Sequence, residues 1–184
     1  MDPEYLVQKL IELKIATADN IKGASEEEIV QVERQFSRNL PVEYRVFLRT
    51  VGRGAGTFWD DLIYTVDKLV EINEEFQDDV LLHRADGYHL EIPEAAFAIA
   101  DFRGENTIFI DLEDANAKVP IYDLNNCTCE CKKVNESLWD RVCSTLRKYE
   151  EMIRRESASK SKARKRKMGE IRIRMEDLGW EPWE

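Results

Sequence analysis

Residues 25–52 constrain the fold more than any other stretch. Ser25-Glu26-Glu27-Glu28 reads as a capping box, with Ser25 as the cap and Glu28 reaching back to it. Ile29, Val32 and Phe36 follow at helical spacing. Leu40-Pro41 stops that helix, because proline disfavours α geometry in the residue before it, and Pro41 is itself pre-set to start another. Tyr44, Phe47, Leu48 and Val51 then fall at i, i+3, i+4 and i+7, one apolar stripe on a second helix. Gly52 ends that helix, and Gly54 and Gly56 loosen the exit.

The flanking sequence extends the pattern. Asp2-Pro3 opens a first helix with Leu6, Leu10 and Leu13 on one face. Phe58 to Tyr64 reads as a strand, and Thr65 as the cap of a further helix that buries Leu69, Ile72 and Phe76. Strand signals then cluster at Phe97–Ala100, Thr107–Leu112, Val119–Asp123 and Thr128–Val134, separated by Arg103-Gly104-Glu105-Asn106 and Leu124-Asn125-Asn126. Connections this short favour antiparallel hairpins. Ser137 and Asp140 form another capping pair, ahead of a long amphipathic helix through Leu138, Trp139, Val142, Cys143, Leu146, Tyr149 and Ile153. The expected class is α+β: N-terminal helices on a mostly antiparallel sheet, closed by a C-terminal amphipathic helix.

After Ser157 the composition changes. Ser157–Lys167 is Ser, Ala, Lys and Arg with no apolar face, read as a solvated helix extension or a linker. Ile171, Met175 and Leu178 suggest a last helical turn or two, and Trp180 and Trp183 suggest that the final residues dock somewhere. The domain reading is a body at 1–156 and a basic extension at 157–184. From Arg147 onward there are 12 Lys+Arg against 8 Asp+Glu, so the net −10 divides into +4 for the tail and −14 for the body. Such a body repels nucleic acid and attracts basic partners. The basic run Lys160, Lys162, Arg164 to Lys167 is either solvated or a contact for nucleic acid, an anionic surface or the acidic body. No apolar run approaches the ~20 residues of a membrane helix, and Met1-Asp2-Pro3-Glu4 lacks a signal-peptide pattern. A cytoplasmic location is expected. Crowded cysteines at 127, 129 and 131 do not read as a secreted disulfide framework, which agrees with that expectation.

Several of these segments together resemble a known family. Gly23-Ala24-Ser25-Glu26-Glu27-Glu28-Ile29, Glu33, Leu40-Pro41-Val42-Glu43-Tyr44-Arg45-Val46-Phe47-Leu48 and Gly52 look like the signature of the SUKH superfamily, the Smi/Knr-like proteins. Phe97-Ala98-Ile99-Ala100, Thr107–Asp111, Val119–Asp123 and Ser137-Leu138-Trp139 resemble its later segments, so the likeness spans roughly Leu13 to Tyr149. Where family members often carry Asn-Gly after the tyrosine helix, Val51-Gly52 stands here. The signature residues Gly23, Ile29, Glu33, Leu40, Pro41, Tyr44, Phe47, Leu48 and Gly52 are mostly caps and core, and report the fold. The resemblance implies protein binding without catalysis. One form is an immunity protein that neutralises a cognate toxin, often a basic nuclease; the alternative is a scaffold or regulatory adaptor with no toxin partner.

Candidate sites follow. Asp60-Asp61, Glu74-Glu75, Asp78-Asp79 and Glu113-Asp114 are paired carboxylates, either solvated surface or a face for a basic partner. Trp59 is either an aromatic anchor beside them or a core residue. Alternation places Cys127, Cys129 and Cys131 on one strand face, with Cys143 on the next helix. That set is either a half-buried thiol face or a zinc site, and the spacing suits zinc poorly. Nothing points to catalysis or a cofactor. His83 and His89 lie in no nucleophile or metal motif, no serine has a nucleophile elbow, and Gly52-Arg53-Gly54-Ala55-Gly56 lacks the lysine of a phosphate loop.

Overall fold

A computed structural model describes residues 2–113 and 119–177, with side chains described up to residue 160. Contacts divide the chain into two compact units, Met1–Ser144 and Thr145–Glu184. The first unit holds helices α1 (Pro3–Glu12), α2 (Glu26–Phe36), α3 (Val42–Val51) and α4 (Leu69–Ala85). After them come strands β1 (Ala96–Phe102), β2 (Asn106–Asp111), β3 (Ile121–Asn125) and β4 (Glu130–Asn135). Helix α5 (Leu138–Asp177) begins in the first unit and continues through the second. The four strands form one antiparallel sheet in the order β1-β2-β3-β4. The class is α+β, as the sequence predicts.

The caps explain where the helices start. The Asp2 side chain accepts the Tyr5 N–H at 3.1 Å. Ser25 accepts from Glu28 N–H at 3.3 Å while Glu28 returns to Ser25 N–H at 2.8 Å. Ser137 accepts from Asp140 N–H at 3.0 Å. Each satisfies a first-turn donor that the helix itself leaves open.

The end of α2 departs from expectation. Leu40-Pro41 is not the stop: the helix closes at Phe36, with Ser37 in the left-handed region at φ 52°. The Arg38 N–H returns to the Glu33 carbonyl at 3.1 Å. Pro41 instead serves as the N-cap of α3. A second correction concerns Phe58–Tyr64, which is turn rather than strand; only Ile63 pairs, in an isolated bridge to Asp101 of β1. Thr65 precedes a short 3-10 turn, Val66–Lys68, and α4 begins only at Leu69.

Core packing follows from the stripes. Leu6 and Leu10 of α1, Ile29 and Val32 of α2, and Tyr44, Phe47, Leu48 and Val51 of α3 are all buried. The five central residues of β1 are buried too. The Phe97 ring meets Phe36 at 5.2 Å and Tyr44 at 6.3 Å. Phe109 of β2, opposite Ala98, meets Phe76 of α4 at 5.2 Å and stacks on Tyr122 at 5.3 Å. Asn73 of α4, 1% exposed, takes the place of a missing strand beside β1. Its amide donates to the Ala98 carbonyl at 2.8 Å and accepts the Ala98 N–H at 2.7 Å, next to a bulge between Ala98 and Ala100. A side-chain amide here does what a neighbouring backbone would do. The exposed edge, β4, carries Lys132 and Lys133, charges that discourage further strand pairing.

Gly23 shows why the segment before α2 is so tightly specified. Ala24 N–H donates to the Leu48 carbonyl, Lys22 N–H to the Gly54 carbonyl, and Arg53 N–H to the Lys22 carbonyl. A Cβ on Gly23 would lie 1.7 Å from the Arg49 carbonyl oxygen, so only glycine fits against the end of α3. Of the signature residues, Ile29, Leu40, Tyr44, Phe47 and Leu48 are thus explained by packing, Pro41 by capping and Gly23 by close approach.

Candidate protein-binding surface

Part of the charged surface is already paired among the described residues, and part is not. Arg45, Arg49 and Arg53 recur every four residues along α3 and its exit. They face the acidic residues of α2. Arg45 bonds Glu33 and Glu26, Arg49 bonds Glu26 at 2.5–2.9 Å, and Arg53 bonds Glu28. The Arg53 guanidinium beside it and the Ser25 N–H hold the Glu28 carboxyl below its ordinary range. The spacing of the arginines was readable in the sequence; which carboxylates they face was not.

The structure scatters the predicted acidic pairs. Asp60 and Asp61 lie exposed on the 57–61 turn, where Asp61 stands 3.8 Å from Arg103 of the β1–β2 turn. Glu113 lies past the opposite end of that hairpin and pairs with Arg38 at 2.8 Å. Asp114 falls outside the described residues. Asp79 turns toward the β3–β4 turn and accepts from Asn126 at 3.1 Å. Burial pushes its carboxyl above the ordinary carboxylate range, with Asp101 and Asp78 adding to the effect and His83 opposing it.

Trp59 is a core residue, correcting its reading as a surface anchor. It is 5% exposed, and its ring lies 5.0–5.5 Å from Phe58, Phe47 and Tyr64. The cysteine reading also changes. Cys127 and Cys129 sit in the turn that joins β3 to β4, and only Cys131 lies on a strand, so the three do not share a strand face. Cys127, Cys129 and Cys131 are free thiols, and among the described residues no group of three metal-ligating side chains converges.

What remains is the outer face of α4. Glu74, Glu75 and Asp78 are exposed there and form no salt bridge among the described residues, while Glu71 pairs with Lys68. One turn further on, Leu81 and Leu82 are 62% and 59% exposed, and Tyr88, just past the helix, is 50% exposed. An open pocket of about 590 Å³ adjoins this end, lined by Phe76, Val80, Leu81, Arg84, Ile92 and Pro93. Helix α4 therefore carries acid over its first turns and unburied leucine beside a pocket over its last. The buried side of α4 was legible in Leu69, Ile72 and Phe76. The leucine pair was not singled out, although two adjacent leucines off the buried stripe were a visible signal.

The sequence matches the SMI1 / KNR4 family (SUKH-1) over residues 23–143, well over half of the chain. The chain belongs to that family. No curated protein matches it. The SMI1/KNR4 match begins at Gly23, the glycine held against Arg49, and ends within the first turns of α5. It covers every signature residue named above and the whole of α4. No described helix of this SMI1/KNR4 chain is long and apolar enough to cross a membrane.

Proposed function

We propose that this chain is a non-catalytic binding protein of the immunity type, which occupies and neutralises a basic toxin domain. The observation that carries the reading is the outer face of α4. Three exposed carboxylates with no salt bridge among the described residues adjoin two exposed leucines and an open pocket on one helix. Interfaces that hold tightly combine an apolar anchor region with a charged surround that steers the partner. A nuclease domain must carry Lys and Arg to hold phosphates, so an acidic helix laid across that groove excludes the substrate. The Leu81–Leu82 end and its pocket supply the apolar contact that charge alone does not. Cytoplasmic action, before a toxin reaches nucleic acid, fits this reading.

The test is rescue in cells. Any candidate toxin domain encoded beside this gene is expressed with and without the chain, and growth and nucleic-acid integrity are scored. Restored growth with a one-to-one complex supports immunity. A toxic neighbour that the chain neither binds nor suppresses overturns it and moves the function to a scaffold or adaptor.

A further inference from the structure

The turn between β3 and β4 holds a second chemical feature, independent of the acidic face. Cys129 adopts a left-handed conformation, φ 54°, in the turn at residues 126–129. That conformation is uncommon for a residue with a side chain, and it aims the thiol back toward α4. The Cys129 Sγ lies 3.3 Å from His83 Nδ1 and 3.9 Å from the Asn126 carbonyl oxygen. Of these two neighbours only the imidazole can take a proton. Asp79, one turn before His83 on α4, accepts from Asn126 of the same turn at 3.1 Å, which ties this end of α4 to the β3–β4 turn. The other ring nitrogen, His83 Nε2, is buried with no partner among the described residues. A buried polar atom left open calls for an explanation beyond packing.

We propose that Cys129 is a thiol-modification site that reacts with low-molecular-weight disulfides, with His83 as its proton acceptor. In the reaction the Cys129 proton passes to His83 Nδ1, and the thiolate attacks one sulfur of the disulfide. A bond forms between Sγ and that sulfur, the original S–S bond breaks, and the leaving thiolate takes the proton from His83. Cys129 is oxidised, and the released thiol is the reduced product. Cys127, two residues away and more exposed, has no imidazole contact among the described residues and serves as an internal reference. Exposure alone ranks Cys127 first; the imidazole contact ranks Cys129 first.

The experiment incubates the native full-length chain with oxidised glutathione. Samples are quenched in acid over time, and each cysteine is quantified by peptide mass spectrometry. Cys129 is expected to acquire glutathione about tenfold faster than Cys127, and H83Q to abolish that lead. Circular dichroism checks that H83Q is folded. Should it not fold, the ratio within the wild-type chain decides alone. Cys129 reacting no faster than Cys127, or an undiminished lead in folded H83Q, overturns the proposal.

Discussion

The Glu33 carboxylate accepts the Leu40 backbone N–H at 2.8 Å, and its second oxygen bonds Arg45 at 2.5 Å. Glu33 is 8% exposed on the inner side of α2. It therefore ties the end of one helix to the start of the next, and satisfies a buried donor just before the Pro41 cap. Replacing it by alanine strands the buried Leu40 N–H and leaves the Arg45 guanidinium with Glu26 alone. E33A is expected to lose about 3 kcal/mol, and E33Q, which keeps an acceptor for Leu40, about half of that. Urea unfolding midpoints of the two variants check the order.

Asn73 makes three buried hydrogen bonds, to Leu69 and twice to Ala98. N73L fills the space yet leaves the Ala98 N–H and carbonyl without partners. Its expected cost is about 3 kcal/mol, larger than a surface change on the same helix such as Q77A. Equal melting temperatures for N73L and Q77A would contradict the role of Asn73 as a substitute strand.

Tyr44 is buried, and its hydroxyl has no hydrogen-bond partner among the described residues. Burial pushes the phenol upward from its ordinary value, so it stays protonated. Y44F removes an unsatisfied polar atom and keeps the ring contacts with Phe47 and Phe97. The expected result is unchanged stability or a gain of up to about 1 kcal/mol. A loss beyond 1 kcal/mol would reveal a partner for the hydroxyl.

Asp79 gives a pH dependence with a definite sign. Burial raises its folded-state value, so the folded chain holds a proton that the unfolded chain has released. Its contribution to stability therefore falls as pH rises through the window above the ordinary carboxylate value. D79N removes this loss and keeps an acceptor for Asn126. The variant is expected to gain on the wild type as pH rises above the ordinary carboxylate value of about 4. Thermal melts of both chains across that range check it, and a constant difference would contradict the sign.

The helices and sheet were legible because local chemistry and tertiary structure agree there. Ser25 with Glu28, and the Tyr44–Val51 stripe, mark α2 and α3 without reference to the rest of the chain. The Phe58–Tyr64 segment misled because large aromatic residues suit a buried strand and a buried turn alike. Trp59, at φ 55°, marks it as the latter. The Leu40-Pro41 stop was misplaced because Ser37 ends α2 first, in a backbone state that serine only occasionally adopts. The site was less legible still. Charge totals revealed an acidic body, but not that Arg38 neutralises Glu113 or that Asp79 points inward. Pairs such as Cys129 and His83, 46 residues apart in the chain, come together only through the docking of α4 beside the β3–β4 turn.

The central claim is that the outer face of α4 receives a basic partner. The most direct measurement is calorimetric titration of a toxin domain that the chain suppresses in the rescue assay, with the wild-type chain and with E74K/E75K/D78K, alongside matched melting curves. The account predicts a one-to-one complex that the charge reversal weakens at least about a hundredfold without lowering the melting temperature. Added salt should slow association of the wild type. Equal affinity for both chains would contradict it.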